Sequence, residues 1–368
     1  LAVMPFALIV LSGDQTVGPT WAGEILLALA FLMTGFGLHM TQTAGLALAA
    51  DKANEKNRPR VVALLYLMFL FGMGLSAIII GALLSNFSQL RLIQVVQGCA
   101  VFTLLLNIIA MWKQEVLKPQ SLKERLEIKP KFFDAWKDFM KNGYASKLLI
   151  VVIIGTTAFS MQDILLEPYG GELLNLSVSA TTNLTALWVL GALISLAVAA
   201  RGFRKKVRPI SFCTISLLVG ILGFLSIIFS YPMNFVFLYF LGAFLIGFGA
   251  GLFAVSTLTL AMAMPVGGNT IGRGLALGSW GAAQATAVGV GVALGALIKD
   301  FISKLAFNGY LGEALNNIST GYSFVYHLEI LLIFITLIVL GPLAHQLNKI
   351  DRQLKKEKGN FGLAELPV

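Results

Sequence analysis

TGFGLHMTQTAGLALAA at 34–50 returns in altered form as IGFGAGLFAVSTLTLAMA at 246–263. Gly35, Phe36 and Gly37 align with Gly247, Phe248 and Gly249, and Leu46, Leu48 and Ala49 align with Leu258, Leu260 and Ala261 at the same offset. Each copy runs into a basic turn and then into a glycine-dotted apolar span, which ends in Gly81-Ala82-Leu83 or Gly295-Ala296-Leu297. Two copies with their basic turns on the same side form a parallel repeat, so the chain reads as two like halves built of membrane-spanning helices.

Outward from the repeat, apolar runs lie near 1–11, 21–50, 61–84, 92–112, 147–166, 180–200, 209–230, 234–262, 274–298 and 322–344. All but the first reach the ~20 residues that cross ~30 Å of hydrocarbon at 1.5 Å per residue. The expectation is nine full spans and one partial span. The runs lack polar alternation, which argues against a β-barrel. Across all 368 residues, 57% are hydrophobic and 12% charged, half the roughly 25% charge of a soluble domain. Cys99 and Cys213 sit inside apolar runs, so neither a disulfide framework nor a metal site is implied. No GxxxxGK loop, HExxH or nucleophile elbow is present, and the expectation is a protein that is not an enzyme. Gly247, Gly249 and Gly251 imitate a dinucleotide fingerprint, but no strand precedes them, and helix packing explains them better.

The formal charge of +9 has a topological reading. Alternate connections at 51–60, 113–147, 201–208, 263–273 and after 345 hold all 27 Lys and Arg residues except Arg91, Lys299 and Lys304. That bias marks them as cytoplasmic, together with the C-terminus, and directs the positive charge to anionic lipid rather than to nucleic acid.

The fold class that follows is an all-α polytopic membrane protein with the major facilitator architecture of two six-helix halves. Residues 1–112 form the remainder of the N-terminal half, about three and a half spans. Residues 113–146 form a cytoplasmic linker, 147–345 the C-terminal half with six spans, and 346–368 a cytoplasmic tail. Three spans precede the Gly-Phe-Gly helix in the second half. Projected backwards, the offset places about two spans and most of a third upstream of Leu1, as in an N-terminally truncated chain of twelve spans. Within the linker, Phe132, Phe133, Trp136, Phe139 and Met140 recur at helical spacing between Lys131, Asp134, Lys137, Asp138 and Lys141. This is an amphipathic helix, either a tether on the membrane surface or a docking site.

Polar residues at membrane depth are the functional candidates, because burying them is costly. His39 lies ~18 Å from the cytoplasmic end of its span, among Thr41, Gln42 and Thr43. A neutral imidazole there can ligate a magnesium tetrapyrrole, shuttle a proton or bond two helices together. Gln42 lies one turn on and is placed to line the same cavity. Asp163 and Glu167 are spaced i, i+4 on one helix face, with Asp163 ~24 Å into its span. Such a pair can couple protons, or cap the outer end of the span where water reaches it. Arg58 and Arg60 follow Asp51 and Glu55 and serve either a gating charge network or topology alone. Trp280 and Gln284, also at i, i+4, either line a central cavity or pack between helices.

GLHMTQTAGLALAAD, RPRVVALLYLMFLFGMGLSA, RLIQVVQG and above all QDILLEPYGGELLNLSVSATTNLTALWVLGALIS resemble the PucC/LhaA family, the bacteriochlorophyll-delivery branch of the major facilitator superfamily. The resemblance covers nearly the whole chain, and Gln162 to Leu184 is its most specific part. It implies an assembly factor for bacterial light-harvesting antenna complexes, with bacteriochlorophyll as cargo. The partners it implies are antenna polypeptides, bacteriochlorophyll or its biosynthetic enzymes, and the lipid of an inner or intracytoplasmic photosynthetic membrane. It marks His39 and Gln42 as pigment contacts and singles out Gln162, Asp163, Glu167, Tyr169, Gly170 and Gly171. Two other functions fit the residues: a proton-coupled secondary transporter of a small solute, and a pigment-free scaffold for antenna polypeptides.

Overall fold

The computed structural model describes residues 3–6, 20–53, 58–83, 88–112, 132–141, 143–176, 178–264 and 270–359. Their elements are helices α1 (Thr20–Lys52), α2 (Arg58–Leu83), α3 (Gln89–Met111), α4 (Phe132–Lys141) and α5 (Gly143–Ser160). A 3₁₀ turn at Met161–Ile164 leads into α6 (Leu166–Glu172), followed by α7 (Val178–Arg204), α8 (Pro209–Ser230), α9 (Val236–Met262) and α10 (Thr270–Phe307). A second 3₁₀ turn, Glu313–Leu315, precedes α11 (Ser319–Gly359). Among the described residues, eight helical segments are long and apolar enough to cross a membrane, and α2 adds the shorter apolar stretch Leu67–Ser76. Each of the nine expected spans therefore falls on a helix. The expected partial span at 1–11 lies, apart from residues 3–6, outside the described residues.

Local chemistry sets the ends of these helices. Ser88 caps α3 by accepting a hydrogen bond from the Arg91 amide at 3.1 Å. Pro209 opens α8, where its missing N–H leaves no helical bond unmade. Asn175 and Asn234 turn the chain with φ of 51° and 48°, a conformation that asparagine tolerates better than most residues.

The chain divides into two compact units, one of residues 1–45 and 71–132 and the other of 46–70 and 133–368. In the first unit, the apolar window of α3 buries none of its residues, and Val101, Phe102, Leu104, Ile108 and Ile109 stand exposed around it. An apolar helix surface of that extent suits lipid.

The second unit is organised around α5, which packs against α9, α10 and α11, while α8 and α9 pair along their length and α7 lies against α9. Leu148, Val151, Val152, Phe159, Leu217, Phe224, Ile246 and Ile333 share its core. Gly247 of the repeat motif explains the closeness of α7 and α9, because a side chain there would run into the Trp188 carbonyl. In the other copy, Gly35 and Gly37, the counterparts of Gly247 and Gly249, have no described atom within 4 Å of where a Cβ would stand.

The amphipathic segment is helical in α4. Trp136, Phe139 and Met140 pack on the core of the second unit, whereas Phe133 is 80% exposed. The helices also outrun their apolar stretches: α11 continues to Gly359, well into the segment read as a tail.

Candidate functional site: the interrupted span

The segment from Gly143 to Glu172 is long and apolar enough to cross as one span, but it is not one α-helix. Pro168 supplies a reason. It has no N–H to give the carbonyl four residues earlier, and its ring crowds that carbonyl. A new helix starting at Leu166 places Pro168 in the first turn, where no such bond is needed. The chain tightens through Met161–Ile164, with the Leu165 amide donating to the Gln162 carbonyl at 2.9 Å.

Three neighbouring helices, α9, α10 and α11, grip the break. On α10, a side chain at Gly295 would collide with the Met161 carbonyl, and Gly291 leaves only 3.1 Å between a Cβ and the Thr157 carbonyl. The backbones therefore meet directly. On the other side, Tyr169 stands at the centre of an aromatic cluster. Its ring stacks on Tyr239 at 5.9 Å and meets Tyr322 and Tyr326 edge-on, each at 5.6 Å. The Tyr169 hydroxyl reaches the Ile227 carbonyl at 2.9 Å, and the Tyr239 hydroxyl donates to the Leu166 carbonyl at 2.7 Å. Gly170 lies under Tyr239, whose hydroxyl occupies the place of a side chain, whereas Gly171 has open space. Tyr169 and Gly170 of the sequence motif thus have a packing role.

Asp163 and Glu167, expected on one face of a continuous helix, fall on either side of the break and find different partners. Asp163 is exposed and accepts from the Gln162 side-chain amide at 2.5 Å. Glu167 is also exposed and accepts from the Thr185 hydroxyl at 2.8 Å. Glu172, at the end of α6, accepts from the Tyr322 hydroxyl at 2.8 Å.

Glu329 of α11 belongs to this site, and sequence reasoning missed it. It is 0% exposed, and neither carboxyl oxygen has a hydrogen-bond partner among the described residues. The 3₁₀ turn at Met161–Ile164 packs against α11, and Gln162 and Asp163 lie within electrostatic reach of the Glu329 carboxyl. The available signal was a lone acidic residue inside the apolar run 322–344.

The remaining candidates lie elsewhere. Trp280 is fully buried and donates its indole N–H to the Thr257 hydroxyl at 3.2 Å, while Gln284 is half-buried one turn later. In the first unit, His39 is exposed on α1, Gln42 and Thr43 are half-buried, and Thr41 bonds back to the Gly37 carbonyl at 2.9 Å. Arg58 and Arg60 open α2, but their side chains lie outside the described residues.

Residues 1–347 match the family model described as PUCC protein. An uncharacterized protein of the puhA-bchM intergenic region of Rhodobacter capsulatus is 50% identical over 368 residues, all of this chain and 76% of that protein. Protein PucC of the same organism is 41% identical, covering 93% of this chain and 73% of its own length. A bacteriochlorophyll synthase 44.5 kDa chain of Rhodobacter capsulatus is 26% identical over 77% of this chain and 66% of its own. Among solved structures, the major facilitator transporter FucP in an outward conformation aligns with a TM-score of 0.61 at 14% identity, covering 92% of this chain and 80% of that one. A bacterial homologue of the iron transporter ferroportin, facing outward, aligns at 0.60 and 15% identity over 93% of this chain and 81% of that one. At such identities the likeness concerns the fold, which is that of the major facilitator transporters.

Proposed function

This chain belongs to the PUCC protein family, and we propose that it is an assembly factor for bacterial light-harvesting antenna complexes, holding or delivering bacteriochlorophyll for insertion into antenna polypeptides. Similarity to PucC proteins and to a bacteriochlorophyll synthase chain supports a role with the photosynthetic machinery in the membrane. In this reading the protein is not itself an enzyme. It lies in the inner or intracytoplasmic photosynthetic membrane with its C-terminus in the cytoplasm, as the charge bias directs.

The observation that carries the pigment reading is the surface of α1 around His39. Leu32, Phe36 and Met40 are 69%, 68% and 58% exposed. They stand one helical turn apart, beside an exposed imidazole. A magnesium tetrapyrrole asks for one axial nitrogen donor and a broad apolar surface, and this face offers both. Gln42 and Thr43 add hydrogen-bonding groups one turn on.

The test is an absorption spectrum of the protein purified in mild detergent from a bacteriochlorophyll-making host, with co-purifying polypeptides identified by mass spectrometry. Stoichiometric pigment that persists after the antenna polypeptides are stripped away is the expected result. Pigment lost together with them turns the reading to a pigment-free scaffold. Absence of both turns it to a proton-coupled solute transporter, the second reading, which the carboxyl groups at the interrupted span favour.

A further inference from the structure

We propose that Glu329 is a proton-binding site inside the second unit, loaded and unloaded through Asp163 at the break in the neighbouring span. The inference is independent of the cargo, whether pigment, polypeptide or solute.

Glu329 is wholly buried and its oxygens are unpartnered among the described residues. A carboxylate in that setting needs a counter-charge, since burying an isolated ion costs far more than burying a neutral acid. Among the described residues, the packed elements supply none. Helices α8 and α9 contain no charged residue. On α10, Lys299 pairs with Asp300 at 3.4 Å and lies over the Tyr322 ring at 4.9 Å. Tyr322 is two turns, ~10 Å, along α11 from Glu329. On α5, Lys147 precedes Gln162 by ~22 Å of helix. On α6, Glu167 and Glu172 are acidic and bonded to Thr185 and Tyr322. Tyr169 and Tyr239 face the site from α6 and α9, and both hydroxyls donate to carbonyls. Tyr326 stands one turn before Glu329 on α11, its hydroxyl buried and unpartnered.

Hydrogen-bonding capacity points the same way. Among the described residues, the unpartnered buried atoms here are the Glu329 oxygens, the Gln162 side-chain oxygen and the Tyr326 hydroxyl. Acceptors outnumber donors, and one proton on Glu329 supplies the missing donor.

The broken helix makes exchange feasible. Gln162 and the next residue, Asp163, lie on the turn that packs against α11, and the Asp163 side chain is exposed among the described residues. Interrupted transmembrane helices commonly place their free backbone groups and neighbouring carboxyls at ion sites. In the transfer, the Glu329 O–H bond breaks as an O–H bond forms at Asp163, whose negative charge moves to Glu329. Asp163 then releases the proton to solvent.

Infrared difference spectroscopy of the full chain in sodium-free detergent tests this, by following the carboxylic-acid C=O stretch and its shift on hydrogen–deuterium exchange. Glu329→Gln is expected to lose a protonated-carboxyl band. Asp163→Asn is expected to keep that band but slow its exchange severalfold. An unchanged spectrum in a folded Glu329→Gln variant overturns the proposal. So does a band that sodium removes at constant pH, which would make the site one for a metal cation. Should Glu329→Gln fail to fold, the Asp163→Asn exchange rate decides: slowing supports the proposal, and an unchanged rate overturns it.

Discussion

Trp280 and His39 are both polar aromatic side chains at membrane depth, and the structure gives them opposite surroundings. Trp280 is enclosed and its single donor is satisfied by Thr257. Replacing it with Phe should remove one buried hydrogen bond, worth about 1 kcal/mol, and some packing. Thermal unfolding in detergent should register a modest fall in midpoint, with pigment content unaltered. His39 is exposed, so His39→Ala should leave the midpoint within error and lower the bacteriochlorophyll retained per protein. Undiminished pigment in a well-folded variant would remove His39 from the ligand set. The same reasoning separates Tyr169 from Asp163 within one motif, since the first is enclosed by three tyrosine rings and the second has an open side.

Among the elements, α5 and α10 depend most on close approach. Gly295 lets α10 rest on the Met161 carbonyl where α5 ends, whereas Gly289, also on α10, has no described atom within 4 Å. Gly295→Ala must push two backbones apart, and overpacking of that kind costs about 1–3 kcal/mol. Gly289→Ala meets no obstacle and should gain a little helix stability, since alanine favours the helix by about 1 kcal/mol over glycine. Opposite shifts in unfolding midpoint are expected, and equal shifts would show that α10 does not bear on the break. Pro168 explains why the break lies here, and its effect is local enough to be read from the order of residues.

At the scale of the molecule, charge asymmetry predicts orientation. A membrane-impermeant thiol reagent added to intact spheroplasts should label Tyr310→Cys, in the loop between α10 and α11, at once. Lys206→Cys, in the turn between α7 and α8, should react only after permeabilisation. The reverse pattern would invert the topology. The native cysteines interfere little, Cys213 being buried and Cys99 half-buried.

Sequence alone determined where the spans lie, the major facilitator fold, the amphipathic α4 and the family. Each rests on quantities carried along the chain: apolar length against bilayer thickness, the period of a helix, the position of basic residues and direct residue matches. His39 and Asp163 were also legible, as polar residues in apolar runs. Tertiary structure decided which polar residues are satisfied. Trp280 finds Thr257 and Glu167 finds Thr185, while Glu329, a single letter in a long apolar helix, finds no partner among the described residues. The physical reason is that a side chain's partners are chosen by helices distant in sequence. Only the packing of α10 and α11 against the break beyond α5 brings Glu329 to Gln162 and Asp163.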